Sequence, residues 1–177
     1  MQRLKKLEER FSNLIEKDKF NIILHPKSQG SGREWPMENF INLINSLDTD
    51  LYKIFISGTQ KEREAMQLIF DAVGAKVTDI KGVMDLYQFI SFINQANALV
   101  ASGTGPLHIA GALGKNAIGI YPPRKLINPQ RWKALGDKTQ IFVLNKICSD
   151  CKERNSYCHC MKEIGPLLIK AALDKLY

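Results

Sequence analysis

The sequence predicts an α/β domain in which helices wind around both faces of a mostly parallel sheet. Two observations carry this prediction. Short apolar runs alternate in strict order with longer amphipathic segments between residues 20 and 121, and parallel strands need such crossover helices. The chain also has 177 residues, of which 45% are hydrophobic and 24% charged, which suits one globular domain with a substantial core.

Residues 1–19 are predicted to form a separate amphipathic helix before this domain. Their apolar residues recur with helical spacing between charged ones: Leu4, Leu7, Phe11, Leu14 and Ile15. We expect the apolar stripe to pack on the same domain, and docking on a missing partner domain is the alternative.

Residues 20–177 form the predicted main domain. Short runs rich in β-branched and aromatic residues predict strands at 20–24, 52–56, 76–80, 98–101 and 117–121. The segments between them predict helices at 36–47, 60–73, 85–95 and 106–113. Gly74 ends the second of these helices, because glycine accepts the left-handed conformation that stops helices.

The alternation weakens beyond Tyr121, where prolines and a glycine predict a loop. An edge strand is predicted at 141–144 and a closing helix at 164–176. The ligand is expected beyond the carboxyl ends of the strands, as in other doubly wound sheets.

The first candidate site is the turn between the strand at 98–101 and the next helix. Gly103 and Gly105 permit a tight turn, and Pro106 suits the first helical position. The N–H groups at this helix start and the Thr104 hydroxyl would bind a phosphate or diphosphate. A plain strand–helix turn would have the same features, and His108 lies either beside the anion or in the core.

The second candidate site is the turn at 25–36. Ser28 and Gln29 provide hydroxyl and amide groups, while Lys27 and Arg33 provide positive charge, a mixture that suits a diphosphate. The planar fork of Arg33 can neutralise two oxygens and stabilise a departing nucleoside diphosphate. The alternative is a flexible loop closed by Trp35 at the helix start.

The third candidate site is the turn at 57–62. Thr59 and Glu62 have the spacing of a capping box, in which each side chain bonds the backbone N–H of the other. Glu62 could also accept a hydrogen bond from a ribose hydroxyl.

These three turns resemble the donor-binding half of the family 9 glycosyltransferases, the heptosyltransferases of lipopolysaccharide core synthesis. The resemblance runs from about residue 20 to the C-terminus, and Thr-Gly-Pro-Leu-His-Ile-Ala at 104–110 is its most specific block. It implies the C-terminal, Rossmann-like half of a GT-B fold. It also implies an ADP-heptose-type donor, a lipopolysaccharide-core acceptor, inversion at the anomeric carbon, and no metal or other cofactor for transfer.

The resemblance also implies which residues bind the donor. These are Ser28, Gln29, Arg33, Glu62, Gly103, Thr104, Gly105 and His108. Arg33 occupies the place of a basic residue, usually Lys, that faces the diphosphate. Gly103 departs from the family, which often has an acidic residue there that would bond the sugar hydroxyls, so the sugar stays open.

The general base of the family belongs to the N-terminal half, so this chain provides only the leaving-group side of the reaction. The chain is then a piece of a longer enzyme, a subunit completed by a separate acceptor domain or chain, or a degenerate binding protein. A sugar epimerase of the same two-domain architecture is a further alternative.

Four cysteines lie within thirteen residues in the segment 148–160: Cys148, Cys151, Cys158 and Cys160. A reducing compartment disfavours disulfides, so a structural zinc ion held by these thiolates is one hypothesis. Thiols without a metal, open to oxidation, are the other.

The net charge is +7, and residues 124–177 carry eleven basic and five acidic side chains. The alternative function is therefore a non-catalytic module, stapled by zinc, that binds nucleic acid or an acidic surface. Few aromatic residues interleave with these charges, which argues against nucleic acid. Without an apolar run for a membrane span or signal core, we expect a cytoplasmic protein, peripheral at the inner face of the membrane.

Overall fold

The computed structural model describes residues 11–30, 32–124, 129–146 and 159–177, and this part of the chain contains one six-stranded parallel sheet. Its strands are β1 (Phe20–His25), β2 (Tyr52–Ile56), β3 (Val77–Asp79), β4 (Ala98–Ser102), β5 (Asn116–Ile120) and β6 (Thr139–Phe142). Across the sheet they follow the order β3-β2-β1-β4-β5-β6. This is the Rossmann order: β2 and β3 are added on one side of β1, whereas β4, β5 and β6 are added on the other side, so the order switches between β1 and β4.

Helices connect the strands. They are α1 (Met37–Ser46), α2 (Gln67–Val73), α3 (Leu86–Gln95), α4 (Gly105–Ala112), α5 (Pro129–Trp132), α6 (His159–Glu163) and α7 (Pro166–Asp174). The predicted α/β class and its strand–helix order are confirmed. Within the described ranges, no helix is both long and apolar enough to span a membrane.

The two faces of the sheet carry two separate apolar cores. Successive side chains of a strand point to opposite faces, so Ile22 and Leu24 belong to one core and Ile23 to the other. The first core packs against α1, α2, α6 and α7, and the second against α3 and α4. Helices on both faces explain why the strands are apolar throughout rather than alternating.

Two predicted helices begin later than expected. The segment 60–73 contains two 3₁₀ turns, Gln60–Glu62 and Glu64–Met66, before α2 begins. A Cβ atom on Gly58 would lie 2.4 Å from Cε of the buried Met66. The Met66 side chain, which ends the second 3₁₀ turn, therefore packs directly over Gly58. The closing helix α7 begins at Pro166 rather than at 164, because Gly165 is extended before the proline.

Two other predictions shift or are only partly described. The edge strand β6 begins two residues before the predicted start at 141. Of the N-terminal segment, residues 1–10 lie outside the described ranges. Ser12–Leu14 forms a 3₁₀ turn, and Phe11, Leu14 and Ile15 pack against the second core.

Candidate functional site

A cavity of about 670 Å³ opens at the carboxyl ends of β3, β2, β1 and β4. This is the edge where doubly wound sheets bind ligands, and the volume suits a small-molecule cofactor or nucleotide. Residues that follow each of the four strands line it: His25, Lys27, Ser28, Gln29, Ser57, Gly58, Thr59, Gln60, Glu62, Ile80, Gly82, Met84, Asp85, Leu86, Phe89, Thr104, Gly105 and Pro106.

The loop after β1 is organised by Glu34, a residue that sequence reasoning missed. Its Oε1 accepts hydrogen bonds from the backbone N–H of Ser28 at 2.8 Å and from the Ser28 hydroxyl at 3.1 Å. Its Oε2 forms an ion pair with the Lys27 ammonium. Gln29 and Gly30 reverse the chain with φ angles of +50° and +79°, which brings Glu34 back to the loop start.

Trp35 fixes the far end of this loop. Its backbone N–H donates to the Ser102 hydroxyl at 2.9 Å, which ties the loop to the end of β4. Its indole Nε1–H donates to the Ile164 carbonyl at 2.8 Å, and its ring meets Phe40 edge-on with centroids 4.8 Å apart. Trp35 therefore ties the end of this loop to β4 and to the C-terminal segment.

The turn after β2 contains the predicted capping box. The backbone N–H and the hydroxyl of Thr59 both lie 2.8 Å from Oε2 of Glu62. The second carboxylate oxygen, Oε1, is buried and has no hydrogen-bond partner among the described residues. Glu62 also lines the cavity, which makes this oxygen a candidate acceptor for a ligand hydroxyl.

The turn after β4 places Thr104 directly before α4. Thr104 is 4% exposed, and its hydroxyl does not cap the helix. Its Oγ1 is buried without a hydrogen-bond partner in the part of the chain that the structure describes. A buried polar group of this kind costs about 1–3 kcal/mol unless something satisfies it. Because Thr104 also lines the cavity, a ligand bound there would be in place to supply the missing partner.

His25, at the end of β1, is a second cavity residue that the sequence analysis did not assign. Its Nδ1 lies 2.9 Å from the Ser57 hydroxyl, which itself donates to the Leu24 carbonyl at 3.3 Å. Burial lowers the pKa of His25 to about 4, although the nearby carboxylates of Glu62 and Glu34 act in the opposite direction. The imidazole is therefore neutral at pH 7 and acts as a hydrogen-bonding group.

This pKa predicts that the protein becomes less stable as the pH is lowered. The unfolded chain binds a proton at His25 near pH 6.5, whereas the folded protein binds it only near pH 4. The contribution of His25 to the free energy of unfolding should be fully present above pH 6.5. It should fall by about 2–3 kcal/mol as the pH drops from 6.5 to 4. Urea unfolding at pH 7, 5.5 and 4.5 measures it, and His25→Gln should flatten the profile. Equal slopes for both proteins would contradict the assignment.

Five of the eight predicted donor residues meet in the cavity: Ser28, Gln29, Glu62, Thr104 and Gly105. Three others, Arg33, Gly103 and His108, are absent from the described lining. Gly103 lies against Tyr121, because a Cβ atom there would come within 2.5 Å of the Tyr121 ring. The roles of all eight stay predictions.

The zinc hypothesis also stays a prediction. Cys148, Cys151 and Cys158 lie outside the described residues, whereas the Cys160 side chain is buried in the first core. The described residues contain no group of three or more metal-ligating side chains.

The chain matches a known protein family over most of its length. The model for glycosyltransferase family 9 (heptosyltransferase) matches residues 2–162. Among curated relatives, the chain is 26% identical over 119 residues to the lipopolysaccharide heptosyltransferase 2 of Salmonella typhimurium, covering 65% of this chain and 33% of that protein. It is 27% identical over 127 residues to the lipopolysaccharide core heptosyltransferase OpsX of Haemophilus influenzae, covering 71% and 37%.

Solved structures agree in fold. The E. coli ADP-heptose lps heptosyltransferase II superposes with a TM-score of 0.77 at 20% identity, covering 99% of this chain and 51% of that one. The E. coli heptosyltransferase WaaC with ADP gives 0.69 at 18% identity, covering 96% and 48%. The chain spans about a third of the length of the curated relatives and about half of these structures. Since the family model covers most of its residues, the chain belongs to glycosyltransferase family 9.

Proposed function

We propose that this chain is the donor-binding half of an inverting glycosyltransferase that takes a sugar from a nucleoside diphosphate sugar. By analogy with the relatives, the donor is ADP-heptose and the acceptor a lipopolysaccharide core or a related glycan. One observation carries the proposal. Two buried oxygens without partners among the described residues, Thr104 Oγ1 and Glu62 Oε1, belong to residues lining the cavity at the sheet switch point.

The reaction divides between two halves of an enzyme. The acceptor oxygen attacks the anomeric carbon from one face, and the bond to the diphosphate oxygen breaks on the opposite face, its electron pair leaving with the diphosphate. A base on the acceptor-binding half takes the acceptor proton. This chain binds the nucleoside diphosphate and stabilises the charge that it gains on leaving, as preorganised donors do in other group transfers. No metal ion or cofactor is part of this proposal.

The proposal predicts that the Thr104 hydroxyl contributes to nucleotide affinity. Thr104→Val keeps the side-chain shape and removes the hydrogen-bonding group, so we expect about tenfold weaker binding of the preferred nucleoside diphosphate. Calorimetric titration with ADP, UDP and GDP measures it. Thr139→Val is the matched control, because Oγ1 of Thr139 is also buried without a partner in the described chain, but Thr139 lies on β6 away from the cavity.

Two results would count against the proposal. If no nucleoside diphosphate saturates the wild-type chain, the cavity does not bind a donor by itself. If the two threonine variants lose affinity equally, Thr104 is not part of the site. Titration with an oligonucleotide in the same series tests the alternative of a nucleic-acid-binding module.

Glu62 is proposed to accept a hydrogen bond from a ribose hydroxyl. Its Oε2 is occupied by Thr59, and its Oε1 has no partner among the described residues. Removing the ribose hydroxyls should therefore lower wild-type affinity about tenfold, because the buried oxygen then stays unsatisfied. Comparing ADP with its 2′,3′-dideoxy analogue measures this effect. If the two nucleotides bind equally, Glu62 serves the capping box alone.

The proposed acceptor also indicates where in the cell the complete enzyme would act. A lipopolysaccharide core is built on a lipid, so we propose that the complete enzyme works in the cytoplasm at the inner face of the membrane. A separate acceptor domain or chain completes the active site.

A further inference from the structure

We propose that an exposed patch around Trp132 is the surface by which this chain docks on an anionic lipid bilayer. The Trp132 patch consists of Arg131, Trp132, Lys133 and Leu135. The inference rests on the proposed function for its setting, since a lipid-linked acceptor brings the enzyme to a membrane. The patch is separate from the proposed donor site, because none of these four described residues lines the cavity.

The first observation is the exposure of two large apolar side chains in the patch. Trp132 is 49% exposed and Leu135 is 75% exposed, although both residue types are mostly buried in folded proteins. They lie three residues apart in the sequence, so their Cα atoms are at most about 11 Å apart. Exposed apolar side chains that lie together, rather than singly, mark a surface that contacts a protein or a membrane.

The second observation is how the chain beneath the patch packs on the domain. The Trp132 carbonyl accepts a hydrogen bond from the Tyr121 hydroxyl at 2.9 Å. Ala134 is 2% exposed, and a Cβ atom on Gly111 of α4 would come within 2.3 Å of the Leu135 carbonyl oxygen. The domain therefore holds this segment by backbone groups and one alanine, whereas the Trp132 and Leu135 side chains belong to neither apolar core.

The third observation is the charge beside these apolar side chains. Arg131 and Lys133 flank Trp132 directly, and both are exposed. The guanidinium carbon of Arg131 lies 5.7 Å from the centroid of the Trp132 ring, within the range of a cation–π contact. Tryptophan prefers the boundary between a membrane and water, and basic side chains are attracted to anionic lipid headgroups. The patch therefore matches an anionic bilayer both in its apolar groups and in its charge.

A second pair of exposed apolar residues lacks this charge pattern. Leu167 and Leu168 on α7 are 70% and 52% exposed. Neither neighbour of this pair in the sequence is charged. The nearest basic residue of α7, Lys170, forms an ion pair with Asp174 at 2.6 Å. Charge complementarity therefore favours the Trp132 patch as the surface that meets anionic lipid.

Docking through the Trp132 patch brings the donor cavity to the membrane. Tyr121, which donates to the Trp132 carbonyl, also lies against Gly103, where a Cβ atom would come within 2.5 Å of the tyrosine ring. Gly103 directly precedes Thr104, which lines the cavity. One tyrosine thus joins the patch to the edge of the cavity, which places the donor near the lipid on which the proposed acceptor is built.

Tryptophan fluorescence tests the proposal, because the chain has two tryptophans in different environments. Trp35 is 1% exposed, so its emission should not respond to lipid, whereas Trp132 emission should shift to shorter wavelengths as the ring enters a bilayer. We expect this shift with phosphatidylcholine vesicles that contain about 30% phosphatidylglycerol, and little or none with phosphatidylcholine alone. Trp132→Phe should abolish the shift, because Trp35 alone then contributes to the emission.

Co-sedimentation with the same vesicles measures what each side chain contributes. Replacing Arg131 and Lys133 together by glutamine should weaken binding about 10- to 30-fold, since each basic residue near an anionic surface contributes about fivefold. Leu135→Ser should weaken it about tenfold, because less apolar surface enters the bilayer. The matched control is Leu167→Ser, which removes a leucine of similar exposure and should leave vesicle binding unchanged. These variants should keep the thermal melting and nucleotide affinity of the wild type.

Three results would overturn the proposal. One is that the wild-type chain does not bind the anionic vesicles. The second is equal losses in Leu135→Ser and Leu167→Ser, or binding without a shift in Trp132 emission, because the net charge of +7 would then attract the chain to lipid without this patch. The third is a dimer in sedimentation without lipid that Trp132→Ala abolishes, which would assign the patch to a second copy of the chain.

The donor site is tested independently of this surface. A chain that binds a nucleoside diphosphate but no vesicles would keep the proposed function and lose the docking surface. A chain that binds vesicles through the Trp132 patch but no nucleotide would keep the docking surface and lose the donor site.

Discussion

Replacing Trp35 by alanine is expected to lower the free energy of unfolding by about 4 kcal/mol, the usual loss for a fully buried tryptophan. Trp35 is 1% exposed and packs edge-on against Phe40 in the first core. The change would also leave the Ile164 carbonyl without the indole N–H that it accepts from, and only Asn39 would still donate to it at 3.2 Å. Urea-induced unfolding measures the loss.

Trp132→Ala is the matched control. Trp132 is 49% exposed, so its removal should change the free energy of unfolding by less than about 1 kcal/mol. If the two tryptophan variants lose equal stability, the indole of Trp35 does not hold the C-terminal segment on α1. A loss of stability in Trp35→Ala should also weaken nucleotide binding, because Trp35 supports the loop that carries Lys27 and Ser28.

The order of strands and helices could be predicted because each element is indicated by residues that are close together in the sequence. Runs such as 52–56 are apolar over the whole length of a short strand, and Tyr52–Ile56 is the strand observed. The capping box of Thr59 and Glu62 could also be predicted, and the structure contains it. These features depend on residues at most four apart in the sequence.

The 3₁₀ turns before α2 depend on a tertiary contact and were not predicted. Gln60 to Val73 reads as one helix by its spacing, but Met66 packs over Gly58, a residue that a helical pattern does not include. The late start of α7 at Pro166 could have been predicted, because the residue before a proline disfavours helical backbone. The helix was predicted to start at 164 because its apolar residues have helical spacing from there, and the effect of the proline was not considered.

In the site, residue types were predictable and their partners were not. The sequence indicates that the loop at 25–36 carries anion-binding groups, and it assigns the diphosphate to Arg33. It did not indicate the part played by Glu34, which reads as an ordinary helix-start acid and instead bonds Ser28 and Lys27. His25 was overlooked because a histidine at the end of a strand carries no spacing signal of its own.

Restoring the family's acidic residue by Gly103→Asp is expected to destabilise the protein by about 3 kcal/mol, near the upper end for overpacking a close-packed site. A Cβ atom at this position would lie 2.5 Å from Cε1 of Tyr121, far inside van der Waals contact. The tyrosine cannot easily move aside, since it is 2% exposed and its hydroxyl donates to the Trp132 carbonyl at 2.9 Å.

The matched pair for this test is Gly103→Ala and Gly105→Ala. At Gly105 an added Cβ meets nothing within 4 Å, so alanine there should be neutral, whereas Gly103→Ala should share most of the loss seen with aspartate. Tyr121→Ala should suppress the effect, because it removes the ring that the new side chain meets, and the double mutant should lose less than the sum of the single changes. Additive losses would mean that Tyr121 is not the obstacle. Suppression would instead show that Gly103 and Tyr121 form one packing unit, in which the tyrosine ring leaves no room for a side chain at position 103.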